Sequence, residues 1–107
     1  CTDISNASRT MLFNIFEQRC DEELLDLFAI PASLLPNVCA SDNHFGLIAI
    51  QDLKLSIPIT AVVGDQQAAL IGQRCFNHGR VKATYGTGGF LLMNTGKRPV
   101  MSKHKLL

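Results

Sequence analysis

Between residues 58 and 93 the apolar positions fall into short blocks, each closed by glycine or polar turn residues. Ile59-Thr60-Ala61-Val62-Val63 is rich in β-branched side chains and stops at Gly64, which predicts a buried strand. Gln66 to Phe76 is rich in helix formers, with Gly79 as the stop. Gly72 inside that helix costs backbone entropy, so close packing against a neighbour is expected there. Val81 to Tyr85 reads as a strand, Gly86-Thr87-Gly88-Gly89 as a turn and Phe90 to Met93 as a second strand.

The first half is less regular. Asp21, Leu24, Leu25 and Phe28 stand at the i, i+3, i+4, i+7 spacing of an amphipathic helix. Asp21-Glu22-Glu23 places acid at its start, and Pro31 closes it. Residues 1–16 carry only a short apolar run, Met11-Leu12-Phe13, and show no clear period. Residues 37–57 are mixed, with Ser41 to His44 and Gly46 read as turn. The change of character at Pro58 predicts a domain boundary near residue 57, and the second half is strand, helix, strand, turn, strand. The fold class is α/β.

Composition narrows the function more than the fold. With 107 residues, 47% hydrophobic and 18% charged, the chain suits a globular interior and not a disordered segment. A formal charge of +1 gives no electrostatic case for nucleic acid or an anionic membrane surface. Cys1, Cys20, Cys39 and Cys75 are far apart, without a C-x-x-C pair, so a structural zinc site is not expected and the thiols are read as reduced. Asn6-Ala7-Ser8 fits a glycosylation acceptor, but no secretory signal accompanies it. No apolar run reaches the length of a membrane span. A soluble cytoplasmic protein is expected. Both ends look cut, at Cys1 and at Lys103 to Leu107, so a fragment of a longer protein is expected.

Asp65 is the first candidate for chemistry. It follows the predicted strand and opens the predicted helix, where open α/β folds gather ligands. A carboxylate there can take a proton from a substrate hydroxyl. Spacing alone favours a helix cap, accepting from the amide of Gln67 or Ala68, and the two roles are not exclusive. Gln66 and Gln67 could bind a hydroxyl or be simply solvated. Gly86-Thr87-Gly88-Gly89 fits either a nest of backbone amides for phosphate oxygens or an ordinary hairpin turn. It is neither a Walker A loop nor a dinucleotide fingerprint. His44, His78 and His104 lack metal-pair spacing, and Tyr85 is read as packing. No metal ligand is expected in this chain.

Gly64-Asp65-Gln66-Gln67-Ala68-Ala69-Leu70, Gly72-Gln73 and Thr84-Tyr85-Gly86-Thr87-Gly88 closely resemble the opening of the C-terminal domain of the FGGY carbohydrate kinases. Thr2-Asp3 and Asn6 to Ile15 resemble the glycerol kinases among them. Phe90, Leu92 to Gly96, Ser102 to His104 and Leu106-Leu107 continue the match. The resemblance implies a piece of an actin-like (ribonuclease H-like) two-domain kinase fold, with residues 1–57 ending the first domain and 58–107 opening the second. It implies ATP and Mg2+ as cofactors, glycerol as substrate, and a homo-oligomeric parent enzyme. Asp65 matches the catalytic base, Gln66 a polyol contact, Phe90 an aromatic wall of the glycerol pocket, and Gly86 and Thr87 a turn at the nucleotide phosphates. Gly89 stands where these kinases usually carry a larger residue. The family's N-terminal phosphate loop, its Arg-Glu polyol contacts and its C-terminal adenosine motif have no counterpart here, so the 107 residues alone are expected to be inactive. Rival readings are a kinase for another polyol or sugar, and a non-catalytic truncated product.

Overall fold

The computed structural model describes residues 1–106 and divides the chain into two compact units, Cys1–Gly64 and the stretch from Asp65 onward. In the first, β1 (Thr2–Asp3) runs into α1 (Ile4–Ala7) and pairs in parallel with β4 (Val38–Cys39), Thr2 opposite Val38. A small hairpin joins β2 (Phe13–Asn14) to β3 (Arg19–Cys20). Ala7, Phe13 and Leu25 are the buried apolar side chains of this unit.

The acidic start at Asp21 becomes α2 (Glu22–Leu27), whose first free amides are met by the side chain of Asp21, accepting from the Leu24 N–H at 3.2 Å. The helix stops before Pro31. Ala29 takes φ 52°, its N–H reaches the Asp26 carbonyl and the Ile30 N–H reaches Leu25, a left-handed cap that turns the chain into the 3-10 turn Ala32–Leu34.

Residues 37–57 are more ordered than their mixed pattern predicts. They hold β4, β5 (Gly46–Ile50) and the start of β6 (Leu55–Ile59), which pairs with β5 as an antiparallel hairpin joined by the 3-10 turn Gln51–Leu53. The strand expected over 59–63 therefore lies earlier. Pairing with β5 holds residues 55–59, and residues 60–64 have no ladder partner among the described residues. Val62 is instead tethered by a bond from its N–H to the Ser41 carbonyl at 3.0 Å. The first compact unit runs on to Gly64, beyond the end of the β5–β6 ladder.

The second unit is one helix and one hairpin. α3 (Asp65–Gly72) is shorter than the expected 66–76. Arg74 at φ 55° ends it, with the Cys75 N–H bonded to Leu70 and the Arg74 N–H to Ile71, so a non-glycine residue supplies the stop. Gly79, expected as that stop, sits at φ 79° in a later turn and donates to the Asn94 carbonyl at 2.8 Å. Nothing lies within 4 Å of where a Cβ on Gly72 would stand, so the close packing expected there is absent among the described residues. As the exposed last residue of α3, Gly72 has no neighbour to approach.

β7 (Val81–Tyr85) coincides with its expected span, and β8 (Gly89–Met93) begins one residue early because Gly89 pairs with Tyr85. α3 packs on both strands. No helix of the described residues is long and apolar enough to cross a membrane.

Candidate active site

The β7–β8 register decides which side chains share a face. Residues two apart on a strand point the same way, so Lys82 and Thr84 stand together. Their cross-strand partners are Leu92 and Phe90, which join them on that face. Val81, Tyr85, Leu91 and Met93 point to the other face and are exposed. α3 covers the Lys82 side, and Lys82 is only 3% exposed.

Asp65 opens α3 and is exposed. Its Oδ1 accepts from the backbone N–H of Gln66 at 2.8 Å, and its Oδ2 accepts from Gln66 Nε2 at 3.3 Å. Neither Gln67 nor Ala68 donates to it, so the capping contacts considered above are not those it makes. Gln66 is the hub. Its Nε2 faces Asp65 while its Oε1 accepts from Lys82 Nζ, and the same ammonium donates to Thr84 Oγ1 at 2.6 Å. The structure thus brings together Asp65, Gln66, Lys82 and Thr84, with Phe90 beside Thr84 across the ladder.

Gly86 and Thr87 lie apart from this group, at the tip of the hairpin. The Gly86 N–H is spent on the Gly88 carbonyl at 3.0 Å. None of Gly86, Gly88 and Gly89 is in the left-handed region, so the alternating backbone of an anion nest is not formed and the segment takes the hairpin form. What the tip offers an anion is the amide and hydroxyl of Thr87, neither of which has a partner among the described residues. The ring of Phe90 lies over Gly88, where a Cβ would stand 3.3 Å from its Cε2.

Gly89 has room. A Cβ there would meet the Tyr85 ring at 3.8 Å, ordinary van der Waals contact, at a φ that any residue tolerates. Gly89→Ala is therefore expected to raise stability by about 0.4–1 kcal/mol by restricting the unfolded chain. A higher thermal midpoint of the whole protein checks it, and a lower one would show that the turn needs glycine.

Charge is distributed unevenly along the second half of the chain. Asp65 is the only carboxylate side chain from residue 65 to the end, a stretch that also carries Arg74, Arg80, Lys82, Lys97, Arg98, Lys103 and Lys105. Such a balance favours an anionic ligand. No group of three or more His, Cys, Asp or Glu able to hold a metal occurs among the described residues. That is compatible with Mg2+, which keeps waters and phosphate oxygens and takes only one or two carboxylates.

Sequence reasoning missed Lys82 and Thr84. Their signal is the alternation Val81-Lys82-Ala83-Thr84-Tyr85, which puts two polar groups on one face of a strand.

Comparison with known proteins places the chain in a family. Glycerol kinase of Ectopseudomonas mendocina (strain ymp) is 58% identical over 106 residues, 99% of this chain and 21% of that protein. Glycerol kinase of Bdellovibrio bacteriovorus is 55% identical over 107 residues, 99% of this chain and 22% of its own length. The chain thus spans about a fifth of the length of these relatives. A crystal structure of Plasmodium falciparum glycerol kinase with ADP superposes at a TM-score of 0.88 and 45% identity, covering 95% of this chain and 21% of that one. The α/β architecture is accordingly part of an actin-like fold. Residues 1–72 match the family model for the N-terminal domain of the FGGY family of carbohydrate kinases. The chain belongs to the FGGY family of carbohydrate kinases.

Proposed function

We propose that the protein carrying this chain transfers the γ-phosphoryl group of MgATP to glycerol, giving glycerol 3-phosphate and ADP. The observation that carries the reading is the exposed Asp65 carboxylate, held by the backbone and side-chain amides of Gln66 in a stretch of sequence that has no other Asp or Glu. Glycerol kinases at 54–58% identity support the choice of substrate.

In this mechanism Asp65 accepts the proton of a terminal glycerol hydroxyl as that oxygen bonds to the γ-phosphorus. The bond from phosphorus to the β–γ bridging oxygen breaks, and ADP leaves with its electron pair. Phosphoryl transfer depends mainly on positioning and charge stabilisation, so one well-held carboxylate suffices as the base. Gln66 Nε2 has a second hydrogen beyond the one given to Asp65, and it suits a neighbouring polyol hydroxyl. Phe90, half exposed beside Thr84, supplies an apolar wall for the carbon chain. Thr87 at the hairpin tip offers donors to the nucleotide phosphates. Bound Mg2+ supplies charge neutralisation on the β- and γ-phosphate oxygens. In this reading the junction of the two kinase domains falls near residue 57, just ahead of the division between the compact units.

The test is ADP release by the whole protein with MgATP and a panel of polyols and sugars. Glycerol should be turned over with the highest kcat/KM. Preference for another polyol would reassign the substrate, and no turnover with any would refute the kinase reading.

A further inference from the structure

We infer that Lys82 is a positioning residue, which fixes the amide of Gln66 and through it presents Asp65 to the substrate; the inference rests on the kinase reading above.

Lysine is almost never fully buried unless paired with an acid. Lys82 is 3% exposed, and no carboxylate lies within ion-pair distance of it among the described residues. Burying an ammonium costs several kcal/mol even after relaxation. Two neutral oxygens offset part of that cost. An apolar side chain, like the Leu92 that faces it across the ladder, would fill this place without any such cost. Packing therefore gives no reason for an ammonium here.

The reason lies in what an ammonium cannot do. A glutamine amide is nearly symmetric in shape, and its oxygen and nitrogen exchange places on a half-turn. Lys82 Nζ has only donors, so it can meet Oε1 alone. Nε2 is thereby sent to the opposite side, where Asp65 Oδ2 lies at 3.3 Å. With the amide reversed, Oε1 would face a carboxylate oxygen and two acceptors would repel. Thr84 completes the arrangement by accepting a second Nζ hydrogen at 2.6 Å, which holds the ammonium in line with Gln66. Lys82 touches no part of the reaction in this scheme. It sets which end of Gln66 the carboxylate meets.

The test is a double-mutant cycle in the whole protein, with Lys82→Met, Gln66→Ala and both together. Methionine keeps the length and loses the donors. Lys82→Met should lower kcat for glycerol phosphorylation by about 10- to 100-fold, the scale of a misplaced catalytic group. KM for MgATP should stay within about twofold, because Lys82 is not assigned to the nucleotide. In the Gln66→Ala background the same substitution should change kcat by less than about twofold. A merely structural lysine would lower kcat equally in both backgrounds, which overturns the inference, as does an unchanged kcat in Lys82→Met. Denaturation midpoints of the same four proteins supply a readout independent of turnover. Coupled effects on stability are expected, and additive ones refute the link even if no polyol is phosphorylated. Absence of turnover by the unsubstituted protein would sink the kinase reading alone.

Discussion

Asp65→Asn lowers glycerol-dependent ADP release by about 10²–10⁴-fold, the usual contribution of a positioned general base. The substitution separates two roles that sequence leaves open. Asparagine serves as a helix N-cap about as well as aspartate, so a capping residue would lose nothing. It can also keep an acceptor for the Gln66 N–H, the 2.8 Å contact that ties the side chain to the start of α3. What it cannot do is take a proton from an attacking hydroxyl. The thermal midpoint should therefore move little while kcat collapses, and KM for MgATP should change by no more than about twofold, since Asp65 is not placed on the nucleotide. Steady-state ADP release measured beside thermal unfolding decides the matter. Full activity in the variant would leave Asp65 a structural residue and refute the proposed mechanism.

The candidate site was legible where local pattern and local geometry coincide. Val81 to Tyr85 alternates, ends on glycine and forms β7 over that span. Asp21 begins α2 because an acidic cap before a periodic apolar run has a single economical arrangement. The helix stops differ from expectation for an identifiable reason. Arg74 and Ala29 adopt the left-handed conformation that glycine favours, held there by hydrogen bonds to the preceding turn, so composition carries no trace of them. β6 was displaced because its position depends on β5, and a ladder partner outweighs the β-branched run at 59–63. Lys82 lies at the far end of this scale. Alternation puts it on the same face as Thr84, but only the docking of α3, with Gln66 reaching Nζ, turns that face inward. Pairing across long sequence separation is invisible to period for the same reason, as with Thr2 beside Val38.

The other large effect expected is on stability, at Asp3. Residues 1–16 have no period to read, yet they hold the most completely buried side chain among the described residues. Asp3 caps α1 with both carboxylate oxygens. It accepts from the Ser5 and Asn6 N–H groups at 3.0 and 3.1 Å, the Ser5 hydroxyl and Asn6 Nδ2 at 2.5 Å, and the Ser41 hydroxyl at 2.6 Å. The Asn6 amide of the glycosylation-like triplet is thus already engaged. Ser5 Oγ in turn accepts from the Gly64 N–H at 2.7 Å, so one carboxylate organises the start, the middle and the end of the first unit. Burial pushes the carboxyl pKa up, but the donors from Ser41, Ser5 and Asn6 outweigh it and hold the group well below the usual carboxylate range.

Asp3→Asn puts a donor among donors. It should cost about 2–4 kcal/mol at neutral pH, since hydrogen bonds to a charge are worth more than neutral ones and the lost partners stay buried. The sign of the pH dependence follows from the depressed folded-state pKa. The unfolded carboxyl takes up its proton near pH 3.9, whereas the folded one resists until lower pH. The contribution of Asp3 is therefore complete above the unfolded value and is lost as pH falls from there toward the folded one. Denaturation midpoints of the whole protein and its Asp3→Asn variant, compared from about pH 7 down to about pH 3, should converge on the acid side. A gap that stays constant through the acid range would mean that the shape of the side chain, and not its charge, holds α1 to Ser41.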